Sequence, residues 1–138
     1  MPDVIFNYKM NIKRVFKTKS FDRWAKKLIE DKLLCIAAQE IAQGLFEADL
    51  GGGVCKKRIA LPGSGKRGST RTLVAKRHET AIFFLAGREK NSPTKDFSAT
   101  EEEAAKIIAK SLENATFSQL EQMKQDGILK EICHEKSH

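Results

Sequence analysis

The sequence predicts an α+β fold: a small antiparallel sheet packed against two N-terminal helices, with additional C-terminal helices. Two runs with apolar residues at helical spacing come first, three strand-like runs with short connections follow, and a capping sequence then opens a second helical stretch. With 138 residues and 41% hydrophobic content, the chain is long enough for one core. The expected division is an N-terminal extension over 1–13 and a single domain over 14–138.

Residues 14–18 read as a short strand, with Val15 and Phe16 supplying apolar area. Ser20 can cap a first helix in which Phe21, Trp24, Ala25, Leu28 and Ile29 recur near helical spacing. A second helix over 31–46 presents Leu34, Ala37, Ala38, Ile41 and Leu45 as one stripe. The triple glycine at 51–53 reads as its stop, because glycine enters left-handed backbone conformations without a Cβ clash. Strands follow at 56–61, 70–76 and 80–87, the first two joined by a glycine-rich loop. The last strand is apolar on both faces, which suggests a central or covered position. Ser98 with Glu101, or Thr100 with Glu103, offers a capping box for a helix to about residue 113, packed through Ala104, Ile107, Ile108 and Leu112. A short helix near 118–125 precedes residues 128–132, either an edge strand or a tail. Helices over one side of this sheet would leave the other side for charge.

The formal net charge of +7 favours a polyanionic partner. Its distribution is more telling: residues 56–77 hold eight basic side chains and no acidic one. Within them, 61-LPGSGKRGSTRTLVAKR-77 looks like a nucleotide-binding loop but is not a P-loop. That motif needs a glycine six residues before its lysine and a hydroxyl residue after it, and here those positions hold Ala60 and Arg67. A hairpin connection fits better, with Lys66 and Arg67 either meeting an RNA backbone or only keeping the loop soluble. Strand alternation puts Lys56 and Arg58 on one face and Lys57, Ile59 and Leu61 on the other. Arg71 shares parity with Leu73, Ala75 and Arg77, opposite Thr72, Val74 and Lys76. It either crosses the sheet toward a phosphate or flanks apolar packing with its guanidinium in solvent.

Three cysteines at wide spacing, without a CxxC pair, favour reduced thiols in a cytoplasmic protein. His78, His134 and His138 complete no metal pattern with them, so no metal and no cofactor are expected. No continuous apolar run suits a membrane span. His78 beside Glu79 is read as an exposed turn residue, since strand neighbours project to opposite faces.

Three stretches, 14-RVFKTKSFDRWAKK-27, 37-AAQEIAQGLFEADLGGGVCKKRIALPGSGKRGSTRTLVAKR-77 and 82-IFFLAGREKN-91, together resemble the RelE-like toxins of type II toxin–antitoxin systems. The likeness is to the HigB-related, phage-associated branch and spans about residues 14 to 125. It implies a compact RelE-like fold and a metal-independent endoribonuclease that cuts messenger RNA through 2′-hydroxyl attack, on the ribosome, with a cognate antitoxin as partner. By the same resemblance Lys56, Lys57, Arg71 and Lys90 form the catalytic set and Arg58 and Arg88 bind RNA, while Lys66, Arg67, Lys76 and Arg77 are expected to bind RNA as the remaining charges of the basic run. Lys56 or Lys57 is the base candidate, because lysine can lose its proton when neighbouring cations crowd it. The family's terminal tyrosine has no counterpart; Tyr8, the only tyrosine, precedes the matched region. Two other readings use the same charges: a noncatalytic RNA-binding module or inactivated toxin relative, and a face that docks an acidic protein.

Overall fold

The computed structural model describes residues 13–63, 68–89 and 96–134, so the N-terminal extension lies outside the described residues. Strand β1 (Arg14–Thr18) leads into helix α1 (Lys19–Ala25), and helix α2 (Asp31–Ala42) follows. Thr18, not Ser20, caps α1, its hydroxyl accepting from the Phe21 amide at 3.2 Å. Helix α2 stops at Ala42, earlier than its apolar pattern suggests, because Gly44 takes φ +88° and the Leu45 amide folds back onto the Glu40 carbonyl.

The triple glycine therefore has a different task. Gly51, Gly52 and Gly53 all have positive φ and turn a strand absent from the sequence reading, β2 (Ala48–Gly51), into β3 (Val54–Ala60). Strands β4 (Ser69–Ala75) and β5 (Ala81–Glu89) continue the meander, then come α3 (Ala99–Leu112), α4 (Phe117–Gln125) and β6 (Leu129–Ile132). Residues 128–132 thus supply an edge strand rather than a tail.

The sheet has six strands in the order β2-β3-β4-β5-β1-β6. Neighbours are antiparallel except β1 and β5, which run parallel with Val15 opposite Ile82. Helices cover both faces, which corrects the expectation of one open face. Phe21, Ala25, Leu34, Ala37, Ala38 and Ile41 bury Val15, Cys55, Ile59, Val74, Ile82 and Phe84 on one side. On the other side Ala105, Ala109, Leu112 and Leu120 cover Phe16, Val54, Leu73, Phe83 and Leu129. The seam of α3 is thus small residues that let the helix approach the sheet; Ile107, expected to pack there, is 71% exposed, and Ile108 is also exposed.

Two long-range ties close the structure. Cys35 on α2 is disulfide-bonded to Cys133 just after β6, across 98 residues of sequence, so these thiols are not the reduced pair expected from spacing alone. Cys55 is a free, buried thiol, and burial pushes its pKa up to about 12, which makes it inert as a nucleophile. At the same end of β1, the Arg14 guanidinium lies 4.9 Å from the Phe16 ring centroid and 5.0 Å from that of Phe117. It donates to Glu131 at 2.8 and 2.9 Å and to Glu121 at 2.5 Å, while Lys124 also reaches Glu131 at 2.8 Å.

The Arg14 bond, reinforced by Lys124 against the opposing effect of burial, holds the Glu131 carboxyl down at about 2. Because that value lies below the ordinary 4.5, the ion pair stabilises the fold fully above about pH 4.5, and the contribution disappears as pH falls toward 2. Glu131→Gln is expected to cost about 1–3 kcal/mol at neutral pH, between an exposed and a buried pair, and to lose most of that deficit at pH near 2. Urea unfolding of both proteins at the two pH values measures it; equal stability at neutral pH would remove this clasp from the account.

Candidate functional site

The basic residues of the meander are sorted by strand register. Arg58 on β3 lies directly opposite Arg71 on β4, and Arg71 directly opposite Arg88 on β5. Three guanidiniums therefore start from adjacent strands on one face, with directly opposed Cβ atoms about 4.5–5.5 Å apart. The buried hydroxyls of Thr70 and Thr72 pin this register by donating to the carbonyls of Ile59 and Lys57 at 3.1 and 2.8 Å. The Leu61 amide closes the hairpin onto the Gly68 carbonyl.

Arg88 joins the row because of a bulge. Simple alternation from Phe84 would place Arg88 on the face covered by α1 and α2. Between Leu73 and Val74 the β4 partners jump from Ala86 to Phe84, leaving Leu85 as the extra residue, so Ala86 and Arg88 turn to the α3 face.

Lys56, opposite Leu73, belongs to the same face one position inward from the row. Its ammonium meets Asp96 at 2.8 Å and Glu102 at 3.4 Å. Those carboxylates, Asp96 foremost, raise its pKa and keep it protonated. In return the Lys56 bond holds the Asp96 carboxyl below the usual carboxylate range, and the charge of Arg71 adds to the effect. Arg88 pairs with Glu101 and lies over the Phe97 ring at 5.4 Å. The first turn of α3 thus sits against the row, while Arg58 remains exposed.

Sequence reading did not find the three carboxylates. Its one signal was the capping box, in which Ser98 and Glu101 exchange backbone bonds; Glu101 satisfies the cap with one oxygen and Arg88 with the other.

Other expected site residues are elsewhere. Lys57 points to the opposite face, where it is buried, paired with Glu40 at 2.8 Å and bonded to the Leu45 carbonyl at 2.9 Å. That separates it from the catalytic set in which it was placed, for the reason alternation gives. Lys76 shares the Lys57 face, paired with Asp49 at 3.2 Å and set 5.2 Å from the Phe46 ring centroid. Arg77 lies six residues beyond Arg71, about 20 Å along the strand direction, beside Glu113 at the C-terminal cap of α3. Neither Lys76 nor Arg77 joins the arginine row. Lys66, Arg67 and Lys90 lie outside the described residues.

His78 is buried rather than exposed. Its Nδ1 accepts from the Thr80 amide at 3.0 Å, its Nε2 contacts the Ala115 carbonyl at 2.8 Å, and its ring meets Phe83 edge-on, so it fastens the β4–β5 turn to the α3–α4 connection. Among the described residues no group of three or more His, Cys, Asp or Glu side chains is placed to hold a metal ion, and no helix is long and apolar enough to cross a membrane.

A surface of this kind, with cations in register on a rigid sheet, grips a chain of phosphates and can stabilise negative charge that develops on one of them. No curated protein matches the chain. The family model described as the RelE toxin of the RelE / RelB toxin–antitoxin system matches residues 13–132. That match takes in every strand and helix described above, and the chain belongs to the RelE toxin family.

Proposed function

We propose that this protein is a toxin that cleaves messenger RNA at the arginine row: the 2′-hydroxyl gives its proton to solvent water as its oxygen attacks the adjacent phosphorus, and the 5′-oxygen leaves and takes up a proton, giving a 2′,3′-cyclic phosphate and a 5′-hydroxyl end. The observation that carries the proposal is the direct register of Arg58, Arg71 and Arg88 across three strands, with Lys56 beside them. Arg71, at the centre of the row, holds the phosphoryl oxygens as charge develops on them. Arg58 and Arg88 grip flanking phosphates. Lys56, kept protonated by Asp96 and Glu102, serves as a fixed charge beside the leaving oxygen rather than as the base. With water carrying the protons, the side chains supply binding and charge stabilisation, and these steps call for no metal or cofactor. Membership of the family supports a ribosome-bound messenger as substrate and an antitoxin as partner, and the stretches 14–27, 37–77 and 82–91 are what support the HigB-related branch within it.

One observation favours a second reading. With Lys57 turned away and Lys56 protonated, the row is fully equipped to bind RNA without a lysine base, as in a noncatalytic relative. Incubating the purified protein with ribosomes and messenger RNA, then mapping RNA ends, separates the two. The nuclease reading expects site-specific new 5′-hydroxyl ends. RNA binding without such ends would leave the noncatalytic module in its place.

A further inference from the structure

We infer that Asp96 and Glu102, together with Glu101, act as a built-in anion that competes with the substrate for the basic row and so restricts it to chains of several phosphates. The inference rests on the proposed reading of that row as the RNA site. Three of the row's cations meet three carboxylates from Asp96 and the first turn of α3: Lys56 pairs with Asp96 and Glu102, Arg88 pairs with Glu101, and Arg71 acts on Asp96 through space, while Arg58 stays exposed. Asp96 bridges two of the cations in effect, bonding to Lys56 and acting through space on Arg71. The carboxylates are held in place from behind. The other oxygen of Asp96 accepts from the Phe97 amide at 2.7 Å, Phe97 is buried, and Ala105 and Ala109 seat the helix on the sheet.

A single phosphate arriving at Lys56 therefore exchanges one anion for another and gains little. It also competes against tethered groups, whose effective concentration is in the millimolar range or higher. A polynucleotide differs, because a phosphate held at exposed Arg58 delivers the next ones to Arg71 and Lys56 at a comparably high effective concentration. The side chains of Asp96 and Glu102 are 50% and 24% exposed, so each has solvent to turn into without displacing α3. Selection for length follows from this arrangement without any pocket for a base.

The test is the double variant Asp96→Asn, Glu102→Gln, which keeps the shapes and the Asp96 cap on Phe97. Binding is measured by titration calorimetry at fixed low salt with two probes, a single-stranded RNA of about twelve nucleotides and a mononucleotide. Losing two partly exposed ion-pair competitors should tighten RNA binding about 5- to 20-fold and make mononucleotide binding measurable. Glu103→Gln neutralises an exposed carboxylate on the same helix that pairs with Lys106, and should change binding less than about twofold. Unchanged or weaker binding by the folded double variant would overturn the inference, as would an equal gain in Glu103→Gln. Retained binding with lost cleavage would also overturn it, by making one of these carboxylates a proton acceptor. Tighter binding with no RNA ends from either protein would uphold the competition and reject the nuclease reading.

Discussion

Arg71→Ala is expected to lower RNA cleavage about 10²–10³-fold, the effect of removing one preorganised donor from a developing anion. The melting temperature should change little. Arg71 stands directly between Arg58 and Arg88, and like charges directly opposite one another on neighbouring strands destabilise a sheet, so deleting the middle charge relieves two repulsions and offsets the lost attraction to Asp96. Arg71→Lys should recover part of the activity, since it restores the charge but not the planar fork that holds two oxygens at once. Arg77→Ala, which removes a cation two residues past the far end of the same strand, should cleave nearly as well as the parent. End-mapping at single turnover, with a thermal melt of each variant, checks the set. Full cleavage by a folded Arg71→Ala protein would reject the central role given to the row, and a deficit in Arg77→Ala as large as that of Arg71→Ala would mean that net charge, not register, drives activity.

Gly87→Ala is expected to be the most damaging small change in the sheet. A Cβ at Gly87 would lie 2.0 Å from Trp24 Cζ3 and 2.4 Å from both Cε3 and Cη2. A ring cannot bend out of the way, and this one is already set edge-on against Phe21 at 5.5 Å within the cluster under α1. Either α1 lifts or β5 shifts, at a cost of about 3 kcal/mol or more, toward the upper end for overpacking. Trp24→Leu in the Gly87→Ala background should return part of the loss, because the two residues touch and their effects cannot be independent. Urea denaturation of the four proteins gives the coupling. Additive losses would show that Trp24 does not rest on Gly87. A shift of β5 would also carry Arg88, the next residue, out of line, so a cleavage defect in Gly87→Ala is expected even where the protein remains folded.

The fold class was legible because helical stripes and strand alternation are local signals. Alternation alone also placed Lys56 and Arg58 together and Lys57 apart, and the structure sets Lys57, which the resemblance put with Lys56 at the substrate, on the far face of the sheet. Arg58 and Arg71 lie equidistant from the glycine-rich loop, so their pairing was within reach of a hairpin count. The place of Arg88 was not, because one extra residue at Leu85 reverses the parity of everything after it. Pairing of β1 with β5 and β6, and the bond between Cys35 and Cys133, join residues far apart in the chain, and no local pattern names a distant partner. The carboxylates were given no place at the site for a related reason: residues 101–103 read as local negative charge apart from the basic run, and the capping box already accounted for Glu101.

The position of β1 bears on how the protein is made. The first of the described strands belongs between the last two, so its backbone has no complete set of neighbours until Leu129–Ile132 has emerged. A polypeptide released before β6, from a broken message, would show a bare strand edge and the apolar side chains that α4 and β6 should cover. Such a product is expected to be short-lived, because proteolysis tracks the open, uncovered form.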